Sequence, residues 1–448
     1  MIANKIVIVG YGPAGWSASL YAQVACPQAK IIVFEKRPYA IYHPCIIPEI
    51  IAGVLPKDKL ISKTAFKVGN IVLYTGTEVE EIDIKNKIVY GRRIKTGEKV
   101  SEEYDSLIIA TGSIPLVPSS ISISSMENVF TVKFPEDVDP IIAALRGSSR
   151  AVVVGGGALG IEIAYALAKR GIKTSLIEYY PQLMPRKLDK DFSRYIENFL
   201  RARKIELYLG EKVEAIEDKV GRKRVITSKR VIEADFVVLA TGFKPNTFLA
   251  EKAGISLGEK GGIKVDDYMR TTCDEVFAAG DVAEIKSFLT KRPILNFFAS
   301  SALLTGRIAG LNAAGFREKY VGCFHVWIVK LEDIVFGGVG LSVSEARKEG
   351  IEVFSVTAVV PDKPNYYTDL SKLRIKVVIN ADTKEIVGFQ IMSRRRVLEL
   401  LNLGSWLIYK KTTIRELEKI ETAYTPSLCE LVHPFSILAR ITRRKLKF

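Results

Sequence analysis

The sequence predicts an α/β fold carrying two Rossmann-type dinucleotide-binding units, and three observations predict it. A glycine-rich turn follows an apolar strand twice, at "KIVIVGYGPAG" with Gly10, Gly12 and Gly15, and at "RAVVVGGGALG" with Gly155, Gly157 and Gly160. Each turn opens a helical stretch and then a second apolar strand that ends in an acid: Glu35, twenty residues after Gly15, and Glu178, eighteen after Gly160. Each unit later returns in a strand ending in the same tripeptide, "LIIATG" with Thr111 and Gly112, and "VVLATG" with Thr241 and Gly242. The repetition marks an internal duplication.

The chemistry of these turns follows from their spacing. The first glycine permits a tight turn, the second lets backbone approach a pyrophosphate, and the third allows the helix to pack closely on the strand. Exposed N–H groups at the helix start then bind phosphate. The acid at the end of the second strand accepts hydrogen bonds from a ribose. Beside Glu178 a 2′-phosphate would be repelled, which favours NADH over NADPH, with Lys173, Arg186 and Lys187 as the residues through which NADPH would be tolerated.

Composition bounds the rest. A chain of 448 residues accommodates about three domains, and 48% hydrophobic with 26% charged residues describes a globular chain without low-complexity tracts. The N-terminus lacks the three-part plan of a signal peptide, and the longest apolar patch, from Ile294, is shorter than the ~20 residues of a membrane span. A cytoplasmic protein is expected. Five scattered cysteines then predict thiols rather than a disulfide framework, and no metal-ligand spacing appears. The net charge of +15 is spread along the chain without a nucleic-acid-binding module, so it is read as an attraction for polyanionic cofactors. Only four glutamines beside abundant Ile, Lys and Glu suggest a thermophilic source.

The order "GYGPAG", "IIATGSIP", "VVVGGGALGIE", "VVLATGFKPN", "VFAAGDVA" resembles the pyridine nucleotide-disulfide oxidoreductase superfamily over the whole chain. That resemblance implies a glutathione reductase-like fold: a discontinuous FAD domain of residues 1–115 and 243–316, an NAD(P)H domain of 116–242, and an α+β dimerisation domain of 317–448. It also implies a homodimer in which each dimerisation domain completes the partner's active site. Asp281 in "AAGD" corresponds to the acid that binds the flavin ribitol, while the residues alone also allow a helix N-cap before "VAEI".

Within this superfamily Cys45, in "YHPCIIPEIIAG", stands where a redox cysteine crosses the flavin. A second cysteine five positions on is absent, since position 50 is isoleucine. The chain therefore resembles the single-cysteine branch of CoA-disulfide reductases, NADH oxidases and NADH peroxidases, and the "PCIIPEIIAG" run resembles the CoA-disulfide reductases most. A lone cysteine takes up flavin electrons only when its sulfur is already oxidised, as a mixed disulfide, persulfide or sulfenic acid. If "IIPEIIAG" opens a helix, the helix N-terminus lowers the Cys45 thiol pKa, and His43 is near enough in sequence to assist. The alternative for Cys45 is a buried, inert thiol.

Tyr366 and Tyr367 in "KPNYYTD", and Tyr424 and His433 in "AYTPSLCELVHP", resemble segments that approach the partner's cysteine, where a tyrosine hydroxyl assists a leaving thiolate. His433 stands where the single-cysteine branch usually has aspartate. Pro13 and Ala14 stand where oxidases and peroxidases carry a histidine, which disfavours a peroxide-reducing site. The expected function is hydride transfer from NADH through FAD to a disulfide, persulfide or polysulfide at Cys45, with CoA disulfide the favoured acceptor. The alternatives are an O2-reducing NADH oxidase and a membrane-surface NADH:quinone-type protein, the latter because "ILARITRRKLKF" interleaves apolar residues with Arg440, Arg443, Arg444, Lys445 and Lys447.

Overall fold

Parallel strands covered on both faces read as unbroken apolar runs, and the first Rossmann run obeys that rule. In the computed structural model, which describes residues 3–62 and 69–446, strands Lys5–Val9 and Lys30–Phe34 pair in parallel, Val9 opposite Phe34. Ser106–Ile109 and then Val276–Ala278 extend the sheet on one side, and Ile71–Tyr74 extends it on the other, all parallel. Ile6, Ile8, Ile31, Ile32, Leu107 and Ile108 are completely buried. Helices Pro13–Ala25 and Ala299–Ala313 pack on each other so closely that a Cβ on Gly306 would lie 2.2 Å from the Ala14 carbonyl oxygen. An antiparallel meander, Thr77–Asp83, Ile88–Arg93 and Lys99–Glu103, fills the sequence between the outer strand Ile71–Tyr74 and Ser106–Ile109.

The second unit repeats this plan. Arg150–Val154 lies between Lys173–Glu178 and Phe236–Leu239, and Glu206–Leu209 follows Lys173–Glu178 outward, again in parallel. A meander of Val213–Lys219, Arg222–Thr227 and Val231–Ala234 occupies the same place in the sequence order. The same unit holds the C-terminal third of the chain. This is an antiparallel sheet in the spatial order Trp327–Leu331, Ile334–Gly340, Ile386–Ser393, Lys372–Asn380 and Val353–Pro361. Lys376, buried in its middle, reaches Asp189 Oδ2 at 3.1 Å and Asp191 Oδ1 at 2.5 Å. Gln390 completes the group, donating from Nε2 to Asp189 Oδ2 at 2.8 Å and accepting from the Asp189 N–H at 3.0 Å. A buried charge set is tolerated only when its members are paired in this way.

The first unit comprises residues 1–118, 131–143 and 242–323, and the second comprises 119–130, 144–241 and 324–448. Segment 131–143 therefore packs with the first unit although the chain on both sides of it packs with the second.

Two expectations are corrected here. No helix follows Asp281: it lies in a 3-10 turn, Gly280–Val282, whose N-cap is Ala279, and the chain then enters strand Ala283–Lys286. Val282, Ala283, Glu284 and Ile285 are all buried, so the run has no exposed side with which to form an amphipathic helix. The C-terminal segment does form a helix, Pro434–Leu446, but its apolar face is already used. Phe435, Leu438, Ala439 and Thr442 are buried, with Phe435 stacked on Phe389 at 4.5 Å, and Arg440 and Arg443 pair with Glu418. An apolar face packed inward is not available to a bilayer, so the membrane-surface reading loses its basis; Lys447 lies outside the described residues. Among the described residues no helix is long and apolar enough to cross a membrane.

Candidate active site

Both glycine turns adopt the conformation their spacing demands. Gly10 and Gly155 have φ of 98° and 109°, and a Cβ on either would lie 2.3 or 2.4 Å from a carbonyl oxygen, of Ala110 or Ala240. Only glycine tolerates both conditions. Gly15 and Gly160 stack on Gly10 and Gly155, where a Cβ would sit 1.9 and 1.8 Å from the carbonyl oxygen. The middle glycines differ: a Cβ on Gly12 or Gly157 would meet nothing within 4 Å. These two residues are the N-caps of helices Pro13–Ala25 and Ala158–Lys169, which have no side-chain cap and no acid in the first turn. Open space before uncapped, positively polarised N–H groups fits a pyrophosphate, once in each unit.

The two acids are duplicated down to their hydrogen bonds. Glu35 Oε2 accepts from the Tyr11 N–H at 2.8 Å and its Oε1 from the Arg37 N–H at 2.9 Å. Glu178 Oε2 accepts from the Gly156 N–H at 2.6 Å and its Oε1 from the Tyr180 N–H at 2.8 Å. Each carboxylate thus bonds the residue after the first glycine and the residue two beyond itself. A carboxylate oxygen has a further lone pair, so both acids retain capacity for ribose hydroxyls. Glu178 is buried, and burial pushes its carboxyl above the usual range against the opposing backbone bonds.

Asp281 gathers residues the motif reading did not single out. Ser113 Oγ donates to its Oδ2 at 2.6 Å, and Lys133 Nζ lies 3.2 Å from the same oxygen. Burial holds the Lys133 ammonium below its usual pKa while the Asp281 charge opposes that shift. Ser113 follows Gly112 directly, so the tripeptide could have flagged it; Lys133 has no local signal. Thr111 Oγ1 donates to the Asn246 carbonyl at 2.8 Å, the Asn246 N–H returns to Gly112 O at 2.9 Å, and the Leu116 N–H donates to Gly242 O at 2.9 Å. Strands Ser113–Pro115 and Phe243–Pro245 thereby pair antiparallel just beyond the two tripeptides. A Cβ on Gly112 or Gly242 would likewise meet open space.

Cys45 occupies the centre of a 3-10 turn, Pro44–Ile46, that runs into the short helix Ile47–Ile51. Its thiol-bearing residue is exposed, whereas Cys26 and Cys323 are buried and Cys273 and Cys429 are half-buried. The buried thiol of the alternative is thus not what forms. Apolar anchors explain the exposure: Ile47, Ile50 and Ile51 fill the core, which leaves Cys45 on the outer side. His43 is exposed two residues earlier, its N–H donating to Leu60 O at 2.9 Å.

In the second unit Tyr366 and Tyr424 are joined through their hydroxyls, and both are exposed. Tyr367 lies beside Tyr366 at 5.2 Å and under Lys363 Nζ at 5.0 Å. His433 precedes helix Pro434–Leu446, and its Nδ1 accepts from the Phe435 N–H at 3.2 Å, an N-cap made by an imidazole. Burial, assisted by Arg396, pushes its pKa down to about 4. The unfolded state therefore binds a proton through the interval from about 6.5 down to about 4 that the native state refuses, so stability falls as pH drops through that window. In His433→Asn, which offers a capping oxygen in place of Nδ1, thermal melting should lose part of that acid sensitivity; a fall in melting temperature from pH 7 to 4 equal to that of the wild type would contradict the assignment.

Comparison with known proteins decides the family. The pyridine nucleotide-disulphide oxidoreductase model matches residues 4–300, and that family's dimerisation-domain model matches 327–434. The chain belongs to the pyridine nucleotide-disulphide oxidoreductase family. Membership makes it an oxidoreductase and implies FAD and NAD(P)H as cofactors, with the dimerisation domain implying a homodimer. The chain is 32% identical to an NADH oxidase of Methanocaldococcus jannaschii over 99% of both chains. It is 31% identical to the CoA-dependent NAD(P)H sulfur oxidoreductase of Pyrococcus furiosus, over 99% of this chain and all of that one. Among solved structures, the NAD-dependent persulfide reductase of A. fulgidus superposes with a TM-score of 0.93 at 30% identity, covering 99% of this chain and 84% of that one.

Proposed function

We propose that this oxidoreductase passes electrons from NADH to a disulfide, persulfide or polysulfide sulfur at Cys45, with CoA disulfide the favoured small-molecule acceptor. In this reading residues 1–115 and 243–316 hold the flavin, 116–242 hold the nicotinamide nucleotide, 317–448 pair with a second copy, and the enzyme works in the cytoplasm. The observation that carries it is the exposed Cys45 on a 3-10 turn of the unit that also holds the first phosphate cradle and Asp281. The relatives named for CoA-dependent sulfur reduction and for CoA polysulfide or persulfide reduction support the acceptor class.

Bound FAD supplies the relay that turns the hydride of NADH into an electron pair for sulfur. The chain's own residues do the rest. The first helix N-terminus and Glu35 bind one dinucleotide, Asp281 with Ser113 and Lys133 orients the ribitol hydroxyls, and the second helix N-terminus and Glu178 bind the other. The Cys45 thiolate attacks the acceptor disulfide, forms Cys45–S–S–R and releases one RS⁻; the electron pair then cleaves that bond, returning the thiolate and releasing the second RS⁻. His43 stands close enough in sequence to hold or move a proton for the departing thiolate, and Tyr367, Tyr424 and His433 are offered from the partner's surface. With a pKa near 4, His433 is a neutral hydrogen-bond donor through Nε2 rather than a proton source at neutral pH.

The M. jannaschii relative named as an NADH oxidase favours a second reading, transfer to O2. Anaerobic NADH titration separates the two: uptake of more than two electrons per flavin requires an oxidised Cys45, and uptake of two with rapid aerobic reoxidation favours the oxidase. The nucleotide preference rests on Glu178. Glu178→Gln, which keeps one of the two acceptor oxygens and removes the charge, should raise kcat/KM for NADPH relative to NADH; a wild-type enzyme that already prefers NADPH refutes the assignment.

A further inference from the structure

The turn carrying Cys45 is tied down by a cation. Arg37, two residues beyond Glu35, places its guanidinium 3.9 Å from the Phe134 ring centroid and 5.4 Å from that of Tyr42. Its Nη1 lies 3.6 Å from Glu35 Oε1 and its Nε 3.9 Å from Glu136 Oε2. Glu136 in turn accepts from the Tyr39 hydroxyl at 2.6 Å, and the Tyr39 and Tyr42 rings meet edge to face at 5.8 Å. Tyr42 pairs in the two-residue strand Ile41–Tyr42 against Ile61–Ser62 and stands three residues before Cys45. Burial raises the Tyr42 hydroxyl to about 12, with the Arg37 charge opposing that shift and the charges of Glu35, Asp281 and Glu136 adding to it.

Phe134 is itself presented by a built turn. The Lys133 and Phe134 N–H groups both donate to Asp137 Oδ2 at 2.7 Å. Adjacent residues of one segment therefore serve two acids: Lys133 bonds Asp281, and Phe134 stacks on the cation that faces Glu35. A second tie, the ion pair of Lys57 with Asp139, joins the same segment to the chain beyond the Cys45 turn. None of these ties involves Cys45 itself.

We propose that Arg37, clamped between Tyr42 and Phe134 and against Glu35, is a positioning residue that sets where the Cys45 turn stands relative to the dinucleotide acids of its own unit. The inference rests on the Cys45 reading above. Its physical basis is that a planar guanidinium lies against two rings while its edge faces carboxylates within 4 Å, an arrangement a compact ammonium reproduces poorly. Sulfur transfer needs near-ångström placement, whereas hydride delivery from NADH does not pass through this turn. A displacement of about 1 Å is enough to cost 10–100-fold in such a step.

The test uses the holoenzyme. In Arg37→Met, NADH turnover with CoA disulfide should fall about tenfold or more, while NADH turnover with ferricyanide and the flavin content stay at wild-type values. The thiolate-to-flavin charge-transfer absorbance, which requires Cys45 as the thiolate and the flavin oxidised, should weaken in parallel, a signature that simple loss of stability does not give. Phe134→Leu loosens the clamp from the side that does not touch Glu35 and should show the same split, so it carries the test if Arg37→Met does not fold. Arg37→Lys keeps the charge and should not restore CoA-disulfide turnover. The proposal is overturned if Arg37→Lys restores it, if flavin content and both activities decline together, or if both clamp variants reduce CoA disulfide as wild type does. Cys45→Ser separates the two levels: if it retains CoA-disulfide turnover, the reading of Cys45 has failed, and if it is inactive while the clamp variants are normal, only the role of Arg37 has failed.

Discussion

Cys45→Ser should lose CoA-disulfide and polysulfide reduction by orders of magnitude while NADH still reduces the flavin at close to the wild-type rate. The substitution keeps the size of the side chain and replaces an ionisable thiol by an alcohol that does not ionise in the working range, so no nucleophile remains to attack sulfur. The turn itself should survive. Its packing comes from Ile47, Ile50 and Ile51, and its pairing from Ile41 and Tyr42 with Ile61 and Ser62, none of which is altered. Cys26, whose thiol faces the Ala3 carbonyl at 3.7 Å, and the half-buried Cys273 serve as controls and should tolerate serine with disulfide turnover intact. Stopped-flow flavin reduction beside steady-state disulfide turnover reads both half-reactions, and full disulfide turnover in Cys45→Ser would make direct transfer from flavin to acceptor the leading mechanism.

The double variant Trp406→Glu, Leu403→Glu should be monomeric and lose disulfide turnover while keeping flavin and NADH–ferricyanide activity. Helix Val397–Tyr409 is apolar on two sides. Val397, Leu400, Leu401, Gly404, Leu407 and Ile408 form the buried stripe, yet Leu398, Leu403, Trp406 and Tyr409 remain exposed, Trp406 by 63%. Tyr366, Tyr424, Leu428 and Leu431 are exposed in the same unit. Apolar residues at that density on one element expose a surface of the kind another chain covers, and the match to a dimerisation domain makes a second copy the expected cover. Two carboxylates there would have to be desolvated on pairing, which is strongly unfavourable without partners. Point substitution is a cleaner test than removal of residues 321–448, because truncation would delete Lys376 and Gln390 and strand Asp189 in a buried position. Sedimentation would report the monomer, and a monomer that still reduces CoA disulfide would end the shared-site proposal.

What was legible in the sequence is what depends on neighbours along the chain. The glycine turns, the acids that end the second strands, the recurrent tripeptide and the duplication are local patterns, because φ, strand burial and helix starts are set within a few residues. Their equivalence extends to hydrogen bonds that no pattern states, Glu35 to Tyr11 and Glu178 to Gly156. The misreadings at Asp281 and at the C-terminus share one cause: a local propensity, for a cap or for an amphipathic face, was met by a tertiary partner that used the residues otherwise. His433 carried a recognisable label in the sequence, whereas its cap on the Phe435 N–H and the burial that lowers its pKa are visible only in the fold.

By itself the sequence determined that this protein has two duplicated dinucleotide-binding units, and it singled out the acids expected at their riboses and the lone cysteine expected at the redox centre. Only the tertiary structure decided that residues 131–143 leave their sequence neighbours to pack with the first unit. There Lys133 meets Asp281 and Phe134 meets Arg37 across sequence separations of about a hundred residues or more. Such contacts have no local signature, because a lysine and a phenylalanine in a loop are compatible with almost any surrounding. Their roles arise from the burial and the opposing charges that folding brings to them.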